Sequence, residues 1–467
     1  MNRQQTPYPT PIQQHCAPPS KRVAPHHIGP TGQRAILLNA IGILPLPLLV
    51  AAQAQTQGEI AQDDVSSRND LSFISRMYSA QIPNQAFPQN QLVPALVREL
   101  KHNTIPADDY FINHLFPAKL MPHGMQDEAI MAELSKEHDG KPSIWNEEEQ
   151  CFRDTLYSLK EEQLANWLNN VGNTLGDAFG HSPLRLWSHI SCDTPPVGAS
   201  AYISRKPDLI LLDKDYHNVL SNPNEKVDWA FIRAIAEVTR SKSVSQWVID
   251  TINAKTYLMF LCQYNRRFVV ALSFTGVKDQ SFRLTVTDRE GEVQWTTGLI
   301  GARSKEHSTL FLRVLVVLMF GTSANIGLDP NIEIDRNGKC VAFTVEKKRF
   351  TVVDLIYSLD SVVGRGTRVW TVMHGGVKYV LKDCWIQHER VDSEIIMLKK
   401  MKMGEKLNGR VPALVCGGDV QIDNITDSTE RYRSGMPGWS KMGQRVHRQL
   451  VCTPIGEPLS DYRSKQA

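Results

Sequence analysis

Residues 362–370 read "VVGRGTRVW", and residues 379–385 read "YVLKDCW". Two glycines one position apart between apolar runs make either a hairpin turn or a loop whose backbone lies against something bulky. Gly364, Gly366 and Val369 fit a G-x-G-x-x-V pattern. In such a pattern the missing side chains let backbone N–H groups approach phosphate oxygens, and the valine packs on a nucleotide base. The third glycine of the fuller motif is absent, and the pattern alone is weak. Its neighbours decide.

Lys382 lies in "YVLKD", 16 residues after Gly366, a distance that fits a two-strand hairpin followed by a third strand carrying a phosphate-binding lysine. Twelve residues further, "SEIIMLKKM" offers Glu394 on a helical run, positioned to pair with Lys382 and orient it, Glu389 being the alternative. "VPALVCGGDV" (411–420) reads as a fourth strand, and "VHRQLVCTPIGEPLSDY" (446–462) as a fifth strand running into a hinge near Thr453 to Pro458. Loop, lysine, helix glutamate, two strands and hinge, in that order, predict the N-lobe of a protein kinase rather than an unrelated β-rich module.

Upstream, the period changes. "AYISRKPDLILLD" (201–213) and "WAFIRAIAEVT" (229–239) predict buried strands, and "SVSQWVIDTINAKTYLMFLCQYN" (243–265) predicts a helix. "RFVVALSFTG", "SFRLTVTDREG" and "EVQWTTGLI" predict strands joined by tight turns. Together they make one α/β domain. Asp208 sits in its first strand and Glu237 near the end of the next. Two carboxylates on neighbouring strand ends, followed by a helix, resemble nucleases of the PD-(D/E)xK kind, in which the acids hold Mg²⁺. The lysine expected two residues after the glutamate is Thr239, which carries no charge, so Arg240 or Lys242 would have to substitute. The competing reading is a retained fold with capping carboxylates, because acids at strand ends are commonplace.

Residues 90–180 read as helical, through "ALVREL", "DEAIMAELSKEH" and "NEEEQCFRDTLYSLKEEQLANWLNNVGNTLGDAF", where Phe152, Leu156, Leu159, Leu164 and Leu168 recur near helical spacing. This region is expected to be scaffold. Residues 1–34 are rich in Pro, Gln and His and predict disorder. The apolar stretch Ala35–Ala54 is interrupted by Asn39, Gly42, Pro45 and Pro47, which argues against a membrane anchor. "LFLRVLVVLMFG" (310–321) is too short to span a bilayer and predicts a core helix.

Fifty-two basic and 49 acidic residues leave a net charge of +3, so no global field draws the chain to nucleic acid or anionic lipid. The eight cysteines form no CxxC and no cluster with the 14 scattered histidines, which excludes a zinc-finger pattern and reads as reduced, intracellular thiols.

The segments "KPDLILL", "WAFIRAIAEVT", "RRFVVALSFTG", "TDREGEV", "GLDPNIEID", "VVGRGTRVW", "YVLKDCW" and "VHRQLVCTPIGEPLSDY" together resemble the fungal-type protein kinase family, in which a nuclease-like region precedes a divergent kinase domain. The resemblance covers roughly 150–467. It implies ATP and Mg²⁺ as cofactors, a protein Ser/Thr substrate or protein partner, ATP binding by Gly364, Gly366, Val369 and Lys382, and an ion pair from Glu394 to Lys382. A kinase domain continues into an H-R-D loop and a D-F-G turn, and these 467 residues contain neither. Asp288 in "VTDRE" precedes the glycine pair and belongs to the other domain. The expectation is therefore a C-terminally truncated α+β multidomain chain: a head (1–89), a helical region with the nuclease-like α/β domain (90–340) and a partial kinase N-lobe (341–467). Negligible phosphoryl transfer is expected of it. The alternatives are a pseudokinase-like binding protein and a Mg²⁺-dependent nuclease-like domain.

Overall fold

The structure is a computed structural model. It describes residues 94, 96–97, 99–100, 103–137, 140, 142–154, 160–198, 204–220, 225–239, 246–275, 281–299, 304–359, 361–388, 393–402, 411–436, 439 and 443–456. The head, the apolar stretch 35–54, Leu156, Leu159, Arg240, Lys242, Glu389 and the end of the expected hinge lie outside the described residues.

The chain is a mixed α+β protein built on two seven-stranded sheets. The first part runs β1 (Thr104–Ala107), α1 (Asp109–Leu115), α2 (Asp127–Leu134), β2 (Trp145–Asn146), β3 (Cys151–Phe152), α3 (Glu161–Phe179), β4 (Arg185–Ser188), β5 (Leu209–Asp213), α4 (Lys214–Val219), β6 (Ile232–Thr239), α5 (Gln246–Cys262), β7 (Val269–Thr275), β8 (Ser281–Asp288), β9 (Gly291–Leu299) and α6 (Lys305–Phe320). Its sheet has the order β1-β9-β8-β7-β6-β5-β4. β6 and β7 are parallel, as a strand pair joined by the crossover helix α5 must be, and β7–β8–β9 form an antiparallel meander.

Alternate residues explain the layers. Leu209, Leu211, Ala234, Ala236, Val270 and Leu272 face α3 and α6, whereas Ile210, Leu212, Ile235, Val269 and Ala271 face α5. Every residue of β7 is buried, as befits a central strand covered on both faces. The apolar α6 is a core helix, as expected: its residues from Phe311 to Phe320 are buried, Arg313 alone excepted. Among the described residues no helix is long and apolar enough to cross a membrane.

The second part runs β10 (Ile332–Ile334), β11 (Cys340–Val345), β12 (Lys348–Ser358), β13 (Arg368–His374), β14 (Val377–Gln387), α7 (Glu394–Lys402), β15 (Ala413–Asp419), β16 (Gln421–Ile422), β17 (Ile425–Thr426), α8 (Glu430–Arg433) and β18 (Arg445–Thr453). The sheet order is β10-β11-β12-β13-β14-β18-β15, with all neighbours antiparallel. β18 thus inserts between β14 and β15. One face carries α7, whose Ile395 and Leu398 pack on Leu450 and Cys452. The other buries Phe343, Phe350, Trp370, Leu381 and Val451.

The two parts are stitched together by buried charge. The β8–β9 turn presents Asp288 to the Arg433 guanidinium, which donates at 2.9 and 2.6 Å, and Glu290 accepts from the Thr429 hydroxyl. Arg267 donates to Asp427 at 2.7 Å and to Tyr432 at 2.9 Å. Bidentate and charge-assisted bonds of this kind fix orientation as well as contribute energy.

Three local expectations are corrected. Residues 145–152 form a hairpin, not the start of a helix: Asn146 accepts from the Glu148 and Glu149 amides, and Gln150 takes φ 53°, which an α-helix excludes. The helix begins only at Glu161, where the Gln163 side chain caps the Lys160 amide at 3.0 Å. Asp208 precedes β5 rather than lying inside it, and 229–231 form a 3-10 turn before β6.

Candidate functional site

Lys382 lies in the middle of β14 and is 2% exposed. Its Nζ donates to Glu394 Oε2 at 2.5 Å. The pairing follows from register and packing. Val369 on β13 and Leu450 on β18 stand directly opposite Lys382 on either side, so all three point to the face that α7 covers. Glu394 is the first residue of α7, whose first turn is held by the Ser393 hydroxyl accepting from the Ile396 amide at 3.2 Å. A buried ammonium needs such a partner, because its desolvation is otherwise prohibitive. Among the described residues, Glu394 Oε1 is buried with no hydrogen-bond partner. Beside the pair, burial and then the Glu394 charge push the Cys452 thiol up to about 12, so it stays neutral.

The loop between β12 and β13 carries the two glycines. Gly364 has φ +112° and Gly366 φ +47°, conformations suited to glycine. The Gly364 amide donates to the Arg289 carbonyl at 2.8 Å, and a Cβ on Gly366 would stand 2.6 Å from Arg289 Cζ. The structure therefore brings Val369, Lys382 and Glu394 together, and turns the glycines of the loop toward the β8–β9 turn.

Behind Lys382, on the opposite face, Asp383 accepts from His447 Nε2 at 2.8 Å, and His447 Nδ1 faces Asp427 at 3.0 Å. Burial alone would lower the imidazole pKa, but the Asp383 and Asp427 carboxylates hold it well above its usual value. His447 also stacks on Trp385 at 4.7 Å. This network locks β14 against β18 and so fixes the register that aims Lys382. Sequence reading missed it, because its members lie on distant segments.

A second constellation lies in the first sheet. Asp208 accepts from the Val238 amide at 2.8 Å, which sets it next to Glu237 across the β5–β6 pair. Glu237 is ion-paired with Lys255 of α5, and both are buried. Burial pushes Glu237 up to about 7 against the attraction of Lys255, and the neighbouring Asp208 charge adds to the rise. Asp208 is raised and Lys255 lowered, each by burial first. The three line a cavity of about 470 Å³ together with Glu161, Arg205 and Lys206.

The described residues place a positive charge from α5, that of Lys255, beside these carboxylates, while Arg240 and Lys242 lie outside the described residues. A lysine set among Ala254, Thr256, Tyr257 and Leu258 was the available signal, since such a helix face does not accept an unpaired charge. Glu161, read as scaffold, reaches the same cavity. Among the described residues no three His, Cys, Asp or Glu side chains gather as a metal cage would require. Two carboxylates remain compatible with Mg²⁺, which keeps several waters and takes further ligands from phosphate.

Residues 206–467, more than half of the chain, match the protein family described as fungal protein kinase. The chain belongs to that family. No curated protein and no solved structure matches it. The match begins at Lys206, two residues before Asp208, so it takes in β5–β9 as well as the second sheet. Both constellations fall within the matched region.

Proposed function

We propose that the second sheet and α7 form the nucleotide-binding lobe of a kinase-type site that takes Mg²⁺-ATP. The observation that carries this reading is the ion pair of the buried Lys382 with Glu394, formed between β14, the strand that follows the loop's hairpin, and the helix α7. In this role Lys382 pairs with phosphate oxygens, Glu394 orients it, and Val369 packs on the adenine ring. Gly364 and Gly366 carry no side chain of their own to bar a phosphate from the loop backbone. The order of β12, β13, β14, α7, β15 and β18 supports the same lobe, as does family membership.

The acceptor for the family is a protein hydroxyl. These 467 residues contain no H-R-D and no D-F-G segment to orient that hydroxyl or to hold the metal. We therefore expect these residues by themselves to bind ATP and not to transfer phosphate, a pseudokinase-like binding protein being the alternative to kinase function. Calorimetric titration with Mg²⁺-ATP tests the site: binding should be lost in Lys382→Ala while the thermal transition is retained. Equal affinity in that variant would sink the reading. Transfer of label from ATP to a generic protein substrate, abolished by Lys382→Met, would refute the expectation of inactivity.

A second reading is favoured by one observation, the arrival of Lys255 beside Glu237 and Asp208. Two carboxylates suit a Mg²⁺ ion that polarises a phosphodiester, and Lys255 would offset charge on the phosphate. Mg²⁺-dependent nicking of DNA that disappears in Asp208→Ala would establish it. Absence of nicking at any divalent ion would leave these residues as packing. Four buried thiols, Cys340, Cys384, Cys416 and Cys452, accord with a reducing, intracellular setting.

A further inference from the structure

The glycine loop is held by residues outside its own sheet. Arg289, in the β8–β9 turn, donates from Nη1 to the Ser361 carbonyl at 2.5 Å and to the Val362 carbonyl at 3.3 Å. Its own carbonyl accepts from Gly364 at 2.8 Å. Its guanidinium lies against Gly366 and 4.4 Å from the centroid of the Phe260 ring. On the other side, Glu99 accepts from the Val363 amide at 2.6 Å. Val362 is fully buried in the apolar cluster of the first sheet, beside Leu96, Leu100 and Leu258. Arg365 is tied by its carbonyl to the Trp385 amide at 2.7 Å.

A loop that cradles phosphates must aim its amides at the ligand. Here the Val363 and Gly364 amides are committed to acceptors of the first part of the chain, and two carbonyls are committed to Arg289. The turn that delivers Arg289 is itself rigid, being pinned by Asp288 on Arg433 and by Glu290 on Thr429. The contacts therefore favour one loop conformation, in which those two amides are unavailable to a phosphate.

We infer that Arg289 and Glu99 form an internal clamp that holds the glycine loop off the nucleotide, so that release of the loop from the first sheet is a precondition for tight ATP binding. The inference rests on the nucleotide-binding reading of Lys382 and Glu394. Thermodynamically, the apparent dissociation constant of ATP is the intrinsic one divided by the fraction of molecules with the loop released. Any change that weakens the clamp raises that fraction. The first sheet thereby controls the second without touching the ligand, and whatever displaces the β8–β9 turn acts as an activator of nucleotide binding.

The test is calorimetric titration of the full chain with Mg²⁺-ATP, for the wild type, Arg289→Ala and Glu99→Gln, each with and without Lys382→Ala. Glu99→Gln is nearly isosteric and keeps the comparison open if Arg289→Ala does not fold. Releasing the clamp should tighten ATP binding by about tenfold in Arg289→Ala, with a smaller gain in Glu99→Gln, and Lys382→Ala should abolish the gain. Amide exchange at 361–366 should accelerate in the variants and slow again on adding ATP. Unchanged or weaker binding that still depends on Lys382 would overturn the clamp and leave the nucleotide site standing. No ATP binding by any folded variant, or binding indifferent to Lys382, would overturn both.

Discussion

Lys255, rising from the middle of α5, rests its ammonium on the Glu237 carboxylate near the end of β6, and the two side chains are 1% and 6% exposed. Removing one partner of such a pair strands the other charge in a dry interior. Lys255→Met should therefore lower stability by about 3 to 5 kcal/mol in urea unfolding. Adding Glu237→Gln to it should recover most of the loss, since neither charge then remains to be solvated. A single-variant cost below about 1 kcal/mol would show that water reaches the pair.

Among the described residues, no cation is bonded to Glu292. It accepts from Gln294 Nε2 at 2.9 Å and from the Thr104 hydroxyl at 3.2 Å, and burial pushes it up to about 7 despite those bonds. The folded-state value lies above the unfolded one, so its contribution to stability is complete below about pH 4.5 and is lost as pH rises through about 7. Between those limits the native chain holds a proton that the unfolded chain releases. The difference in stability between wild type and Glu292→Gln should fall by on the order of 2 to 3 kcal/mol from pH 4.5 to pH 8, at about 1.4 kcal/mol per unit of displacement. Parallel pH profiles for the two proteins would contradict the assignment.

His447 is likewise held protonated in the folded chain, but as a cation between carboxylates rather than as a neutral acid. Asp383 and Asp427 flank it; against burial, which would raise both, the imidazolium holds Asp383 below its usual value, and Arg267 first and then His447 hold Asp427 below its own. His447→Ala would leave two buried carboxylates without the cation between them. A loss of about 3 to 5 kcal/mol in urea unfolding is expected, together with weaker ATP binding, because the β14–β18 register behind Lys382 loosens. Loss of stability with unaltered ATP affinity would separate the network from the aim of Lys382.

The parts of the molecule legible in the sequence are those made by local rules. The Lys382–Glu394 pair spans 12 residues of strand, turn and helix, so spacing alone places it. The β7–β8–β9 meander follows from alternation and turn residues in the same way. Lys255 reaches Glu237 from 18 residues away, across a parallel crossover whose helix rotation the sequence does not specify. Residues 145–152 imitate helical spacing through Phe152, yet the Asn146 turn and the left-handed Gln150 win locally. The insertion of β18 between β14 and β15 also decides which residues back Lys382, and it depends on pairings distant in sequence.

Gly366 supplies the sharpest test of why this loop needs glycine. The sequence motif attributes the missing side chain to an approaching phosphate, whereas the structure shows the Arg289 guanidinium occupying the space where a Cβ would sit, 2.6 Å from Cζ. Gly366→Ala carries two costs: the left-handed φ of +47° and the displacement of Arg289. Together they should lower stability by about 1 to 3 kcal/mol. In an Arg289→Ala background the steric cost vanishes and only the conformational one remains. The double-mutant cycle should therefore show a coupling of at least about 1 kcal/mol, measured by urea unfolding of the four proteins. Additive effects would mean that Arg289 does not set the requirement for glycine, and the motif's own explanation, close approach to phosphate, would be the one left for Gly366.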